Sequence, residues 1–264
     1  VIESYNIMNK NITLDEEKVI YGLKKIPISQ KRKEIENLFT NVSNDYDLMN
    51  DLMSLGTHRI WKRDLVDRLE REQILTKKKK ILDLAGGTGD IAFALKKRFH
   101  QNEITVMDLT LGMMKVGKQK AIKKNIHDGL NWVAGDSAYL PFTPSSFNNI
   151  TCAFGIRNVA EIEKTLNECY KVLKPGGKLM ILEFSPEVII PFQKFYDYYL
   201  GNVLPFLGDK IANNKKAYQY LAESIETFYA PNDFCDILQS VKFKIVKLKK
   251  YLSGTACLYI ATRI

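Results

Sequence analysis

The chain has 264 residues, 45% hydrophobic and 26% charged, and its 39 Lys and Arg against 30 Asp and Glu leave a formal charge of +9. That length admits one large domain or two small ones, and no uninterrupted apolar stretch reaches the roughly 18–20 residues a spanning helix needs, which argues against an integral membrane protein. Cys152, Cys169, Cys235 and Cys257 lie far apart with no C-x-x-C pair, which argues against a zinc module or a disulfide-stapled fold and for a reducing compartment.

The sequence opens on Val1 rather than Met, so a processed form is expected, with any targeting segment out of view. Residues 1–30 are polar and mixed, and with Pro27 ahead of the charged run Lys31, Arg32 and Lys33 they read as a flexible lead-in. Apolar residues then recur at three- and four-residue spacing over 29–39 and 46–69, with Gly56 between segments, which predicts a helical cap over 31–76. After the four lysines at 77–80 the character changes. The apolar run 81–85 ends in Gly86-Gly87-Thr88-Gly89, and Ile91, Ala92, Ala94 and Leu95 follow at helical spacing, so this unit reads strand, glycine turn, helix. Further strands are predicted over 104–107, 130–133, 149–154 and 178–184. Helices at 112–124 and 162–173 lie among them, and Pro175-Gly176-Gly177 reads as a stop. Such alternation predicts an α/β fold with a parallel sheet covered on both faces.

Between 186 and 229 the alternation gives way to a helical insertion. Phe192, Phe195, Tyr196, Tyr199, Leu200, Val203, Leu204 and Phe206 form a stripe ended by Pro205 and Gly208, and Tyr218, Leu221, Ala222 and Ile225 form a second. The sequence ends with a helix over 232–239 and strands over 243–248 and 256–261. Their short connection forces antiparallel pairing.

The segment from Asp83 to Gly89 ends a strand and opens a helix, where backbone N–H groups and the helix dipole favour a polar ligand. Gly86, Gly87 and Gly89 let the main chain approach that ligand closely. Asp108 ends the next predicted strand, where an acidic residue holds ribose hydroxyls in nucleotide-binding sheets. A dinucleotide site would need G-x-G-x-x-G in register, which is absent. An acidic residue followed by G-x-G suits a nucleoside carrying an amino acid tail, S-adenosylmethionine, with Asp136 and Ser137 beside its adenine. Plainer readings stand beside these: a tight turn for the glycines, a helix cap for Asp108 and a polar loop for Asp136-Ser137.

Longer segments carry a resemblance. Asp45-Tyr46-Asp47-Leu48-Met49-Asn50-Asp51, His58-Arg59-Ile60-Trp61-Lys62-Arg63, Phe154-Gly155-Ile156-Arg157-Asn158-Val159, Leu182-Glu183-Phe184-Ser185 and Tyr220-Leu221-Ala222-Glu223-Ser224-Ile225 stand in order around the glycine segment and Leu173-Lys174-Pro175-Gly176-Gly177. The last is common among methyltransferases. The others are more particular, and together they resemble the ubiquinone/menaquinone biosynthesis C-methyltransferases over roughly residues 35–262, most closely the eukaryotic mitochondrial members.

The resemblance implies a Rossmann-like S-adenosylmethionine-dependent methyltransferase domain over 31–264. Its seven-stranded sheet is mostly parallel with the last strand antiparallel. It implies methyl transfer to a ring carbon of 2-methoxy-6-polyprenyl-1,4-benzoquinol on the route to ubiquinone. Thr88, Asp108, Asp136 and Ser137, with Gly86, Gly87 and Gly89, fall on the family's cofactor contacts. A further contact, a Ser in bacterial members, is Ala153 here and supplies no hydroxyl. The resemblance also implies a multi-subunit ubiquinone-synthesis complex at the matrix face of the mitochondrial inner membrane and leaves a homodimer open. No metal ligands are assigned.

Methylating carbon requires an electron-rich ring carbon held about 3 Å from the transferred methyl, together with a group that stabilises phenolate character. Arg157, just after the fourth strand, is the first candidate, acting electrostatically since arginine stays protonated. A structural salt bridge is its plainer role. Tyr46, Asn158 and Asn50 complete the expected polar rim, and Asp45 is a candidate proton acceptor. The stripe at 192–206 is either a buried helix face or a channel for the polyprenyl tail.

Three rival functions remain: demethylmenaquinol methylation, a nucleic-acid methyltransferase suggested by the charge, and a scaffold subunit. The stripe lacks interleaved arginines and no Asn/Asp-Pro-Pro-Tyr signature is present, which disfavours nucleic acid. The lysines at 77–80 precede the first sheet strand and so fall at the edge opposite the cofactor. The remaining basic residues are diffuse, compatible with an anionic membrane surface or acidic partners.

Overall fold

Successive side chains along the central strands point to opposite apolar layers, which is why these strands read as unbroken hydrophobic runs. Met180, Leu182 and Phe184 enter one core, and Leu179 and Ile181 the other; Leu258 and Ile260 are likewise separated from Cys257, Tyr259 and Ala261. The computed structural model describes residues 16–43, 45–72, 78–188, 192–212 and 214–264. Residues 1–15 of the expected lead-in, the end of the expected 31–76 cap and Lys77 lie outside them.

The sheet comprises β3 (Lys80–Leu84), β4 (Glu103–Asp108), β5 (Leu130–Ala134), β6 (Phe147–Ala153), β7 (Leu173–Phe184), β8 (Phe243–Tyr251) and β9 (Ala256–Arg263). Its order is β5-β4-β3-β6-β7-β9-β8, parallel throughout except for β9, which runs antiparallel to both neighbours. This is the expected α/β methyltransferase fold. One face carries α3 (His58–Glu72), α4 (Asp90–Arg98) and α5 (Leu111–Lys123), and the other α6 (Ile162–Val172) and α10 (Pro231–Ser240). The order reverses between β3 and β6, so the crevice at their carboxyl ends is the topological switch point where ligands bind in open α/β sheets.

Three local expectations are corrected. Residues 18–27 are no loose lead-in: β1 (Lys18–Tyr21) and β2 (Lys24–Pro27) pair antiparallel, and Pro27 is the N-cap of α1 (Ile28–Asn41). The hairpin is held from outside, by Tyr21 stacked on Tyr220 at 4.5 Å and by Leu23 donating its N–H to Glu223. The 173–177 stretch is extended rather than a stop. Phe147 pairs with Leu173 and Asn149 with Lys178, so Lys174 to Gly177 bulge out of the ladder between them.

Pro205 and Gly208 do not end the aromatic helix. α7 (Gln193–Tyr198) passes through a π-turn over Tyr199–Val203 into α8 (Leu204–Ala212). The register shift puts Pro205 in a first turn, where its missing N–H costs nothing. Gly208 is inside α8 because the Tyr218 ring of α9 (Lys215–Glu226) occupies the space of a side chain: a Cβ there would stand 2.2 Å from Tyr218 Cγ.

Candidate active site

At the switch point β3 and β6 both end in a left-handed residue, Ala85 (φ 50°) and Phe154 (φ 60°). Non-glycine residues seldom adopt this conformation, and surroundings must hold them there. Phe154 is held by the rings of Phe184, 4.6 Å away, and Trp61, 6.4 Å away. Ala85 meets the next turn of the backbone so closely that a Cβ on Gly155 would lie 2.6 Å from its own. A cleft opens beside the two kinks, and Ala85 and Phe154 both line it.

Gly87, Asp108, Asp136, Ser137, Tyr46 and Asn158 all line this cleft, with Ile35 and Phe39 of α1 across it. A narrower recess adjoins, lined by Asp83, Gly86, Thr88, Lys62, Asp90 and Ala153, and Tyr46 and Ala85 face both. The expected cofactor residues are thus gathered at one place, except that Gly89 lies behind the wall.

The glycine turn is built by necessity. Gly87 and Gly89 have φ of 55° and 87°, and a Cβ on Gly87 would stand 3.0 Å from Met113 Cε. Gly87 N–H donates to Asp108 Oδ2 and Thr110 N–H to Asp108 Oδ1, each at 2.8 Å. A carboxylate at the cleft lining is the acceptor a ribose diol requires. Burial pushes the Asp108 pKa up, opposed by those backbone donors. Asp136 accepts from Ala138 N at 2.9 Å and pairs with Arg32 Nε at 2.6 Å, while Ser137 Oγ lies 3.3 Å from Thr165 Oγ1.

In the recess Lys62 Nζ is 3.0 Å from Asp90, and buried Asp83 accepts from Thr151 Oγ1 at 2.9 Å and Ala92 N at 3.2 Å. Burial drives the Asp83 pKa up to about 7. The larger cleft therefore offers apolar walls with diol acceptors, and the recess two carboxylates and an ammonium. An adenosine joined to a zwitterionic amino acid tail fits this division. Ala153 adds only a methyl to the recess wall.

Of the expected catalytic residues, the structure brings Tyr46 and Asn158 together but not Arg157. Tyr46, the first residue of α2 (Tyr46–Ser54), has its pKa raised chiefly by burial and so keeps its phenol proton. Asn158 Oδ1 accepts from Tyr220 Oη at 3.0 Å, which leaves the amide nitrogen as its donor for the cleft. Arg157 turns away and lines a separate groove. Its Nη1 donates to Glu183 Oε1 at 2.6 Å and Phe154 O at 2.9 Å, and its Nε donates to Ser224 Oγ at 3.2 Å. The reason is Glu183, whose fully buried carboxylate near the end of β7 requires a counter-ion. Asn50 is buried beneath Tyr46, and Asp45 is exposed as the N-cap of α2.

Sequence reasoning missed Arg32, Lys62, Asp90 and Tyr220 as site residues. Arg32 lies in a charged run that reads as solvated. Lys62 and Tyr220 stand inside segments quoted for the resemblance, and only the tertiary contacts distinguish them from their neighbours.

The family model for the ubiE/COQ5 methyltransferase family matches residues 27–263. The chain belongs to that family. The ubiquinone/menaquinone biosynthesis C-methyltransferase UbiE of Cereibacter sphaeroides is 42% identical over 244 residues, covering 92% of this chain and 96% of the relative. The same-named protein of Rickettsia felis is 40% identical over 248 residues, covering 92% and 98%. Among solved structures, a SAM-dependent methyltransferase from Aquifex aeolicus has a TM-score of 0.57 at 15% identity, covering 91% of this chain and all of that one. A Haemonchus contortus phosphoethanolamine N-methyltransferase bound to S-adenosylhomocysteine has a TM-score of 0.56 at 15% identity, covering 76% and 52%. These structures share the fold. The protein is thus a quinone-biosynthesis C-methyltransferase of the ubiE/COQ5 family, and its cofactor is S-adenosylmethionine, for which the cleft and recess are shaped.

Proposed function

We propose that the protein methylates a ring carbon of 2-methoxy-6-polyprenyl-1,4-benzoquinol in ubiquinone biosynthesis. The observation that carries this reading is that two neutral donors, Tyr46 and Asn158, line the same cleft as the cofactor residues Gly87 and Asp108. The quinol oxygen gains negative character as the neighbouring ring carbon becomes nucleophilic, and that carbon, on taking the methyl, gives up its ring proton to solvent. Donors held at fixed positions stabilise that charge, each worth on the order of 10²–10³ in turnover. When bound, S-adenosylmethionine supplies the electrophilic methyl; Asp108 and the recess orient it, and the hydrophobic α1 wall excludes water. Arg157 acts through position: it ties the 155–158 turn to β7 and α9, so that Asn158 meets the substrate at a fixed angle.

The segments at 85–93 and 155–158, which resemble those of eukaryotic ubiquinone members, support benzoquinol over naphthoquinol. The relatives' names cover both quinones, so demethylmenaquinol is the second reading. Supplying both tailed quinols with isotopically labelled methyl donor tests this: label in the benzoquinol alone is expected, and label in the naphthoquinol alone would replace the reading. The same resemblance supports an address at the matrix face of the mitochondrial inner membrane within a ubiquinone-synthesis complex, testable by fractionation and co-purification.

A further inference from the structure

The stripe at 192–206 takes no part in the cofactor cleft. Its row Tyr196, Leu200 and Leu204 is buried in the main core, its row Phe192, Phe195, Tyr198 and Phe206 is exposed, and neither lines the cleft. α1 does, through Arg32, Ile35 and Phe39.

α1 also carries Lys31, which is only 5% exposed although it opens a charged run that reads as solvated. Its Nζ donates to Val159 O at 3.0 Å, and Val159 directly follows Asn158 and lines the cleft beside it. The partner is a neutral carbonyl, and burial pushes the Lys31 pKa down to about 8. An ammonium buried in this way is a net cost to folding.

The same N-terminal unit reaches Asn158 a second time. Tyr21 of β1 stacks on Tyr220 with ring centroids 4.5 Å apart and planes 24° apart, and Tyr220 Oη donates to Asn158 Oδ1 at 3.0 Å. The hairpin and α1 are bonded into one piece. Glu17 O accepts from Ile28 N at 3.1 Å, and the Glu16 carboxylate accepts from Ser29 N and Ser29 Oγ, each at 2.7 Å. These bonds serve the first turn of α1, where the N-cap Pro27 makes no side-chain bond. Arg32 ties the unit to the cofactor half as well, with Nε 2.6 Å from Asp136 Oδ2 and Nη2 paired with Glu161. Residues 16–41 thus brace the acceptor turn at two points, Val159 O and the Tyr220 ring.

We infer that Lys31 and Tyr21 are positioning residues for methyl transfer, which fix the amide of Asn158 relative to the cofactor by gripping the 155–159 segment through Val159 O and Tyr220. This rests on reading Asn158 as a donor to the acceptor oxygen. A misplacement of about 1 Å near reacting groups costs up to about 100-fold in rate, and each grip governs part of that freedom, so losing either is worth about tenfold in kcat.

The test uses the full-length protein and the tailed quinol that takes up labelled methyl. Lys31→Met keeps the length of the side chain and removes its donor. It is expected to lower kcat about tenfold and to leave S-adenosylmethionine affinity, by calorimetry, within about twofold. Its thermal midpoint should hold or rise, because the buried charge is gone and Val159 O meets water in the groove it also lines. Slower turnover in a chain no less stable is a result that a merely structural lysine would not give. Lys31→Arg, which keeps a donor and the charge, should recover most of the kcat, and Lys33→Gln on the exposed side of α1 should match wild type. Tyr21→Ala should lower kcat about tenfold as well, and it reads the second grip without touching the interior lysine. Because both residues act through Asn158, adding either change to Asn158→Ala should cost little beyond Asn158→Ala alone. Wild-type kcat in both brace variants, a kcat loss matched by a loss of cofactor affinity, or losses that multiply in the double variants overturn the brace. Unchanged kcat in Asn158→Ala overturns the acceptor reading itself, and the brace with it; a lowered kcat there beside unchanged brace variants overturns the brace alone.

Discussion

Replacing Glu183 by Gln keeps the shape of the side chain and removes its charge, which makes it the sharpest test of the network behind the acceptor site. Arg157 and Glu183 side chains are 2% and 0% exposed. Glu183 Oε1 accepts from Arg157 Nη1 at 2.6 Å and Phe184 N at 2.8 Å, and Oε2 accepts from Arg157 N at 3.2 Å. Glutamine has one oxygen, so in either flip its NH₂ faces an N–H donor and the guanidinium loses its counter-ion. Breaking a buried pair this way costs about 3–5 kcal/mol. For a protein of this size that lowers the melting temperature by roughly 10 °C. Removing both charges in Arg157→Met/Glu183→Leu should cost less than either single change, because no buried charge is left behind. Urea unfolding followed by circular dichroism measures all three variants at constant slope. A loss below about 1 kcal/mol for Glu183→Gln, or a double variant whose loss equals the sum of the singles, would refute the buried pair.

Four further outcomes are expected. Asp108→Asn turns an NH₂ toward Gly87 or Thr110 N–H and should weaken S-adenosylmethionine about 10–100-fold by calorimetry, with little effect on folding. Asp83, with its pKa near 7 in the free protein, is largely protonated below that pH. The ammonium of the cofactor tail favours its ionised form, so binding releases a proton. Affinity then falls as pH drops below 7, by about tenfold per unit at most, and Asp83→Asn removes this dependence. Tyr220→Phe frees the Asn158 amide and should lower kcat about tenfold while leaving cofactor affinity unchanged; a matching loss in cofactor binding would contradict the positioning role. In Gly117→Ala, the new methyl would stand 2.4 Å from Trp132 Cη2 and 2.9 Å from Thr88 O. Overpacking of about 1–3 kcal/mol is expected, with weakened cofactor binding because Thr88 lies in the glycine turn.

Much of the fold is legible in the sequence because its signals are local. The seven strands follow apolar runs bounded by glycine or charge, and the helices between them follow three- and four-residue spacing. The features that escape are those decided from a distance. The 18–27 hairpin has two four-residue strands that carry three lysines, and no core of its own. It is ordered by Tyr220 and Glu223, some 200 residues away. Pro205 reads as a breaker because the π-turn that accommodates it leaves no sequence mark. The stripe at 192–206 is correctly helical, but periodicity does not tell which of its two apolar rows finds the core.

The same contrast divides the site into halves with different vulnerabilities. On the cofactor half, each carboxylate has at least one short-range backbone donor: Thr110 reaches Asp108 two residues away, Ala138 reaches Asp136 two residues away, and Ala92 reaches Asp83 nine residues away. A strand, a turn and the start of a helix suffice to form these, and longer-range partners such as Gly87 for Asp108 and Thr151 for Asp83 add to them. On the acceptor half, Asn158 is held by Tyr220 across 62 residues, and Arg157 by Glu183 and Ser224 across 26 and 67. Three segments of the resemblance, around 154–159, 182–185 and 220–225, are the three corners of this one buried network. Their particular residues follow from mutual need: Glu183 requires Arg157, Arg157 orders the turn bearing Asn158, and Tyr220 fixes the amide. Changes in α9 therefore reach the acceptor chemistry without touching the cofactor, which is why kcat and cofactor affinity should separate in variants of Tyr220 and Ser224.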